Sequence, residues 1–295
     1  MTEPATDQGA ATDQRAATDQ PVATDQPVAP DRRGRADLHI HTIASDGTAD
    51  VASILERVAT VGDLDVIAIT DHERIDAAVA AQAMARDRGL AMDVVVGEEV
   101  TTLGGHLLAL WVDRPIRPYR TLRTTIADVH DAGGLAIPAH PLVPYPLCAQ
   151  GRVLRRLMDD VEAVRPDGLE TFNPTALGRP WHDRVVRFAD EHGLARLGNS
   201  DAHALDAIGV GWTSFEGRTA ADLRRAIETR ATDHGGSFHD AAGQVGVFRQ
   251  QLSKRARDAR DELAGRVRRD GTGRDHGYPG GRARPPRYDP ADERR

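Results

Sequence analysis

The 295 residues carry 38 Lys or Arg against 45 Asp or Glu, a net charge of −7, and 40% of them are hydrophobic. That is enough chain for two domains of average size, although a β/α barrel takes about 200 to 250 residues as a single unit. No apolar run reaches the roughly eighteen residues of a membrane span, and a lone Cys148 excludes an internal disulfide and fits a reducing cytoplasm.

Residues 1–34 are expected to form a disordered tail. ATDQ recurs four times at a six-residue period, from Ala5, Ala11, Ala17 and Ala23. Such a segment has almost no large apolar side chain and cannot bury enough surface to offset its ordering entropy. It has neither the basic start nor the apolar stretch of a signal peptide. An apolar stretch at 36–40 then ends in His39-Ile40-His41. In a strand, residues i and i+2 point to the same side, so both imidazoles aim into one pocket.

Apolar spacings of three and four predict helices over 49–61, 75–88, 119–132, 150–164, 179–192 and 219–230. Between them, strand 65–70 runs into Asp71-His72, strand 92–96 into Gly97-Glu98-Glu99, and strand 134–139 into His140-Pro141. His106 differs, opening the strand 107–112 rather than closing one. The stretch 194–198 leads into Asp201-Ala202-His203, a second pair at i and i+2. Alternating β and α, with ligand-type residues at the carboxyl ends of strands, predicts a β/α barrel whose site lies at that end.

The barrel is expected to span 35–233. Residues 234–270 read as a linker with a polar helix over 244–270, and 271–295 as a disordered basic tail. From Lys254 to Arg295 thirteen Lys or Arg face eight Asp or Glu, a net of +5 that leaves −12 for the rest. A basic tail on an acidic body is either a contact for nucleic acid or another acidic partner, or a solvated appendage. Cys148 reads as a small apolar filler beside the Pro-rich loop 141–146.

Nine side chains stand out as metal ligands: His39, His41, Asp46, His72, Glu99, His106, His140, Asp201 and His203. Six of the twelve histidines belong to this set; His130, His182, His192, His234, His239 and His276 do not. Imidazole and carboxylate ligands suit Zn, Mn, Fe or similar divalent ions. Nine are too many for one ion, and three ions sharing a bridging carboxylate would use them economically.

The run DLHIHTIASDGT from Asp37, then ITDHE, VVVGEEVTT, GGHLLAL, LAIPAHP, LGNSDAH and IGVGWT, resembles the PHP (polymerase and histidinol phosphatase) family of metal-dependent phosphoesterases. The resemblance covers about 36–230 with order and spacing intact. It implies a distorted seven-stranded β/α barrel with two or three divalent ions. By that resemblance His39, His41, Glu99 and Asp201 would hold one ion, Glu99 would bridge to a second held by His106 and His140, and Asp46, His72 and His203 would hold a third. The family pattern Gly-x-Glu favours Glu99 over Glu98, and Asp71 would orient a ligand. Residues 169–173 and the helix with Trp181-His182-Asp183 look like the C-terminal segment of stand-alone members. The chain departs from the family at Glu73-Arg74, where a small or amide residue is usual. Only 34 positions separate His106 from His140, which leaves no room for the inserted domain of some nucleotide-cleaving relatives.

The expected activity is hydrolysis of a phosphate ester, on a small phosphorylated metabolite, a nucleotide or an oligonucleotide end, by a metal-bridged hydroxide. Glu99, Asp201 and His203 are its expected catalytic residues. Arg74, Arg179 and His182 are candidate substrate contacts, since guanidinium binds phosphate bidentately. Arg74 reads equally as the start of a helix, and Trp181 and His182 as a core residue and a cap. The same nucleophile attacks a carbonyl, so hydrolysis of a carboxylic or carbamic ester or amide is an alternative. A non-catalytic, nucleic-acid-associated module is a third reading, against which the full ligand set argues.

Overall fold

The computed structural model describes residues 33–238, apart from 146, 162–163 and 176–177. In chain order the elements are β1 (Gly34–Ile40), α1 (Val51–Val61), β2 (Val66–Ile69), α2 (Asp76–Asp87), β3 (Asp93–Thr102), β4 (Gly105–Leu110), α3 (Leu122–Asp131) and β5 (Leu135–Pro138). There follow α4 (Gly151–Met158), β6 (Gly168–Phe172), α5 (His182–His192), β7 (Ala195–Gly198), β8 (Gly211–Phe215), α6 (Ala220–Glu228) and β9 (Asp233–Gly236). The expected tail 271–295 and the helix 244–270 lie outside the described residues, as does the ATDQ segment. No helix among the described residues is long and apolar enough to cross a membrane.

The fold is mixed α/β. Seven strands form one curled sheet in the order β5-β4-β3-β2-β1-β8-β9, and β6 and β7 form a separate parallel pair. Only β1, β2 and β3 run parallel within the large sheet; β4 and β5 on one side, and β8 and β9 on the other, are antiparallel to their neighbours. The smaller pair is tied to both sides. Asp167 N–H donates to Ala136 O at 3.0 Å beside β5, and Ala202 bridges Ile40 at the end of β1.

Strand parity decides what faces the inside. Leu38, Val66, Ala68, Val95, Leu108, Leu110, Ile137 and Leu197 share one buried cluster. Their neighbours of opposite parity, such as Ile67, Ile69 and Val94, pack instead with apolar residues of α1 and α2. Burying each Val, Leu or Ile among them stabilises the fold by about 1.5–3 kcal/mol, so the parity is strongly specified. Glu99 has the parity of Val95 and faces the inner side, whereas Glu98 has the parity of Val94 and faces the helices.

Helix ends follow local chemistry. The expected helix 49–61 starts at Val51 because the Asp50 side chain accepts from Ser53 N–H at 2.8 Å and acts as its cap. The expected helix 150–164 stops at Met158, where Asp159 and Asp160 put negative charge at the negative end of the helix dipole. β1 starts at Gly34, the last residue of the expected tail. A Cβ there would lie 2.3 Å from Gly217 O, so only glycine allows the approach to the loop after β8.

Candidate metal centre

His39 near the end of β1 and His41 just beyond it are almost fully buried, at 0% and 1% exposure, and both Nε2 atoms lack a hydrogen-bond partner. A buried polar nitrogen without a partner costs free energy unless something absent from the protein chain binds it. Each Nε2 lies 3.4 Å from Glu99 Oε2 and 3.4 Å from Asp201 Oδ1. Ligand atoms bonded tetrahedrally at about 2.0–2.1 Å to one ion sit about 3.3–3.4 Å apart. The four atoms therefore fit a divalent cation.

The charge balance agrees. Burial disfavours the charged form of His39, yet Asp201, Glu99 and Glu170 outweigh it and raise its pKa well above the ordinary histidine value. Burial likewise opposes ionisation of Asp201 and Glu99. Around Asp201, His39, His41 and His203 overcome that effect and hold the carboxyl well below the usual range. Around Glu99, His39, His106 and His140 do the same. Ionised carboxylates packed this deeply call for cationic charge among them.

Glu99 divides its two oxygens. Oε2 faces His39, His41 and, at 3.4 Å, His72 Nδ1, while Oε1 lies 2.8 Å from His106 Nδ1 and 3.2 Å from His140 Nε2. His106 can open its strand and still join the site because β4 is antiparallel to β3. Its register partner is Thr101, so the start of β4 lies beside the end of β3.

On the far side, Asp46 Oδ1 lies 3.1 Å from His203 Nε2, 3.5 Å from His41 Nδ1 and 3.7 Å from His72 Nε2. Burial opposes the charge on His203, but Asp46 and Asp201 prevail and push its pKa up to about 9. The nine expected ligands thus meet in one connected cluster. Three compact groups have the spacing to hold an ion: His39, His41 and Glu99; His41, Asp46 and His203; and His72, Glu99 and His106. His72 is thereby shared between the Glu99 side and the Asp46 side.

Two of these residues adopt backbone conformations that favour glycine, His140 at φ 32° and Asp201 at φ 52°. Each costs of order 1–3 kcal/mol and persists only where the surroundings impose it. The surroundings are buried carboxylates that sequence reasoning missed. Glu170 on β6 accepts from His39 Nδ1 at 2.9 Å and Asn199 Nδ2 at 3.0 Å through Oε1. Through Oε2 it accepts from His140 N–H at 2.7 Å and Asn173 Nδ2 at 3.1 Å. Because Glu170 fixes a proton at Nδ1 of His39, Nε2 is the nitrogen that can give up its proton to a metal.

Asp37, raised to about 6 by burial despite hydrogen bonds from Ser200, Gly209 and His39, ties β1 to the turn that carries Asp201. Asp71 accepts from Thr42 N–H at 2.8 Å, from Thr42 Oγ1 at 2.7 Å and from the Ser45 hydroxyl, fixing the loop that presents Asp46. Cys148, expected as a filler, is buried and also sets its Sγ 3.2 Å from His140 Nδ1. The readable signal for Glu170 was the one charged residue of the short strand GLETF, which must find partners once buried; Asp37 shares β1 with Arg35 and His39 and gave no such signal.

The expected substrate contacts are placed unequally. Arg74 is engaged by Asp76 at 2.6 and 2.5 Å and by Ala44 O at 2.9 Å, which clamps the Asp46 loop to the start of α2. Arg179 stacks its guanidinium 5.6 Å from the Phe238 ring. His182 sets Nδ1 3.0 Å from Thr171 O and lines a pocket that also contains His140.

The PHP-associated family model, PHP_C, matches residues 179–232. An uncharacterized protein of Methanocaldococcus jannaschii is 31% identical over 150 residues, which cover 47% of this chain and 81% of that protein. The chain belongs to the PHP family. Solved structures share the fold of this PHP chain. One is a two-domain protein from Bacteroides vulgatus containing a predicted PHP-like metal-dependent phosphoesterase, with a TM-score of 0.58 at 17% identity over 76% of this chain and 72% of that one. Another is an amidohydrolase from Chromobacterium violaceum with bound sulfate and no metal, with a TM-score of 0.50 at 20% identity over 66% of this chain and 96% of that one.

Proposed function

We propose that this PHP chain is a metal-dependent hydrolase that cleaves phosphate esters, with its curled sheet and the β6–β7 pair together serving as the barrel of the family. The observation that carries this reading is Glu99, whose two oxygens face two separate sets of imidazoles. His39, His41, Glu99 and Asp201 would hold one ion, Glu99, His106 and His140 a second, and Asp46 and His203, with His72 or His41, a third. Imidazole and carboxylate oxygen suit Mn, Zn or Fe. When bound, such ions lower the pKa of a coordinated water and neutralise charge on phosphoryl oxygens.

The protein's own part is positioning. Glu99 and Asp201 stay ionised between the imidazoles and fix their spacing. Glu170 holds the proton of His39 at Nδ1, and Asp201 O accepts from His203 Nδ1 at 2.8 Å, so the Nε2 of each histidine faces the carboxylates. The predicted PHP-like phosphoesterase of the Bacteroides vulgatus protein supports the phosphate reading, and the amidohydrolase fold relative supports acyl hydrolysis as the second. The test is to assay the Mn-reconstituted full chain on phosphate monoesters, phosphate diesters and carboxylic esters. Chelator-sensitive cleavage of a phosphate ester is expected; cleavage of carboxylic esters or amides alone would give the second reading its place.

A further inference from the structure

His106 and His140, the two imidazoles of the second ion, are carried by different elements, yet one short segment reaches both. It is the stretch 147–149, in the loop between β5 and α4. Leu147 O accepts from His106 N–H at 2.9 Å, and Cys148 Sγ lies 3.2 Å from His140 Nδ1. The segment is itself fixed from several sides. Cys148 N–H donates to Tyr145 O at 3.0 Å, Leu142 N–H to Ala149 O at 2.8 Å, and Gln150 Nε2 to Cys148 O at 2.8 Å. A Cβ on Gly105 would lie 2.4 Å from Ala149 N, so the start of β4 closes on the segment as near as glycine allows.

The ring of His140 needs such a hold. Its backbone N–H donates to Glu170 Oε2 at 2.7 Å and fixes the main chain at φ 32°, but leaves the side chain free to turn. Among the described residues Cys148 Sγ is the hydrogen-bond partner of Nδ1, while Nε2 faces Glu99 Oε1 at 3.2 Å. An ion between Nε2 and Oε1 takes the Nε2 lone pair, so the ring proton must then sit on Nδ1 and be given to an acceptor. Sulfur is a weak acceptor, but it stands where that proton points. His39 and His203 rest in the same way on Glu170 Oε1 at 2.9 Å and on Asp201 O at 2.8 Å.

We propose that Cys148 is a positioning residue for the second ion, accepting the Nδ1 proton of His140 and thereby aiming Nε2 at the metal and at Glu99. The proposal rests on the multinuclear reading above. Burial by itself, at 6% exposure, asks only for an apolar side chain of this size. The two roles therefore make opposite predictions for substitution.

The test separates acceptor from filler. Cys148→Ser keeps an acceptor and gives up apolar bulk, whereas Cys148→Val keeps apolar bulk and gives up the acceptor. Ions retained per Mn-loaded full chain, and their affinities, are read by chelator competition, with His140→Ala marking which ion is the second. Cys148→Val should weaken that ion by about 10- to 100-fold, the scale for losing the outer partner of a metal-ligating histidine, and Cys148→Ser should hold it within about twofold of the unmodified chain. In the His140→Ala background Cys148→Val should remove nothing further, because the two side chains act as one unit. Cys148→Ala gives the same readout should the valine variant fail to fold. A filler yields the reverse order, with valine binding like the unmodified chain and serine the weaker, and overturns the proposal. Equal losses in serine and valine, or a further loss in the His140→Ala background, overturn it too. If His140→Ala removes no ion, the multinuclear reading fails and the proposal with it; an ion that His140→Ala removes and Cys148→Val leaves in place sinks the proposal alone.

Discussion

Glu170→Gln tests how the buried carboxylate sets the centre. The substitution keeps shape and removes charge. Four donors converge on the Glu170 oxygens, and three of them cannot turn away. His140 N–H is backbone; Asn199 is pinned by Leu38 N–H on its Oδ1 at 3.0 Å; Asn173 is pinned by Thr175 N–H on its Oδ1 at 3.1 Å. A glutamine offers one accepting oxygen and one NH2. If its oxygen serves His140 and Asn173, its NH2 confronts His39 and Asn199, and only His39 can respond, by moving its proton from Nδ1 to Nε2. That proton occupies the lone pair aimed at Glu99 and Asp201. Loss of such an outer partner costs about 10- to 100-fold in metal affinity, and each buried donor left unmatched costs about 1–3 kcal/mol. Chelator competition for Mn, with thermal melting of the metal-free protein alongside, reads both effects. Metal affinity within about twofold of the unmodified chain, in a variant that folds, would refute the reasoning.

Asp46→Ala or His203→Ala should lower phosphate-ester kcat by at least about 100-fold, the scale of losing one principal electrostatic stabiliser, with a smaller effect on neutral esters; steady-state kinetics on both substrate types checks this, and equal losses would contradict it. Burial pushes the Glu98 carboxyl up to about 8, with Glu73 adding to it against the Ile116 N–H bond. Between about pH 4.5 and 8 the folded chain therefore holds a proton the unfolded chain has released, so stability falls as pH rises through that window, by a few kcal/mol in order of magnitude. Glu98→Gln should flatten the fall in melting temperature between pH 6 and 8, and an unchanged slope would show that Glu98 is ionised in the fold.

Much of this was legible because function and fold used the same pattern. The pair His39–His41 announced itself by strand parity and Glu99 by position after an apolar run, whereas Asp201 and His203 share the spacing but lie in the turn beyond β7, where Asp201 has φ 52°. The Glu98 and Glu99 faces also follow from parity, once Val95 is known to be inside. What stayed hidden depended on contacts distant in sequence. β8 (GWTSF) and β9 (DHGG) are short and show no clear apolar alternation, so their pairing is imposed by the sheet edge rather than by local preference. Glu170 is 131 residues from His39 and Asp37 is 163 from Ser200, separations that no local periodicity encodes. Cys148 is buried as a filler would be, and its contact with His140 was hidden for a similar reason: backbone bonds such as His106 N–H to Leu147 O, at 2.9 Å, bring its loop onto β4.

The central claim, a multinuclear centre bridged by Glu99, is tested most directly by counting ions. Elemental analysis of the full chain, reconstituted with Mn, Zn or Fe and freed of excess metal, should return two to three ions per chain, and Glu99→Ala should lose at least one of them. One ion or none in the unmodified protein, or an unchanged count in Glu99→Ala, would contradict the account.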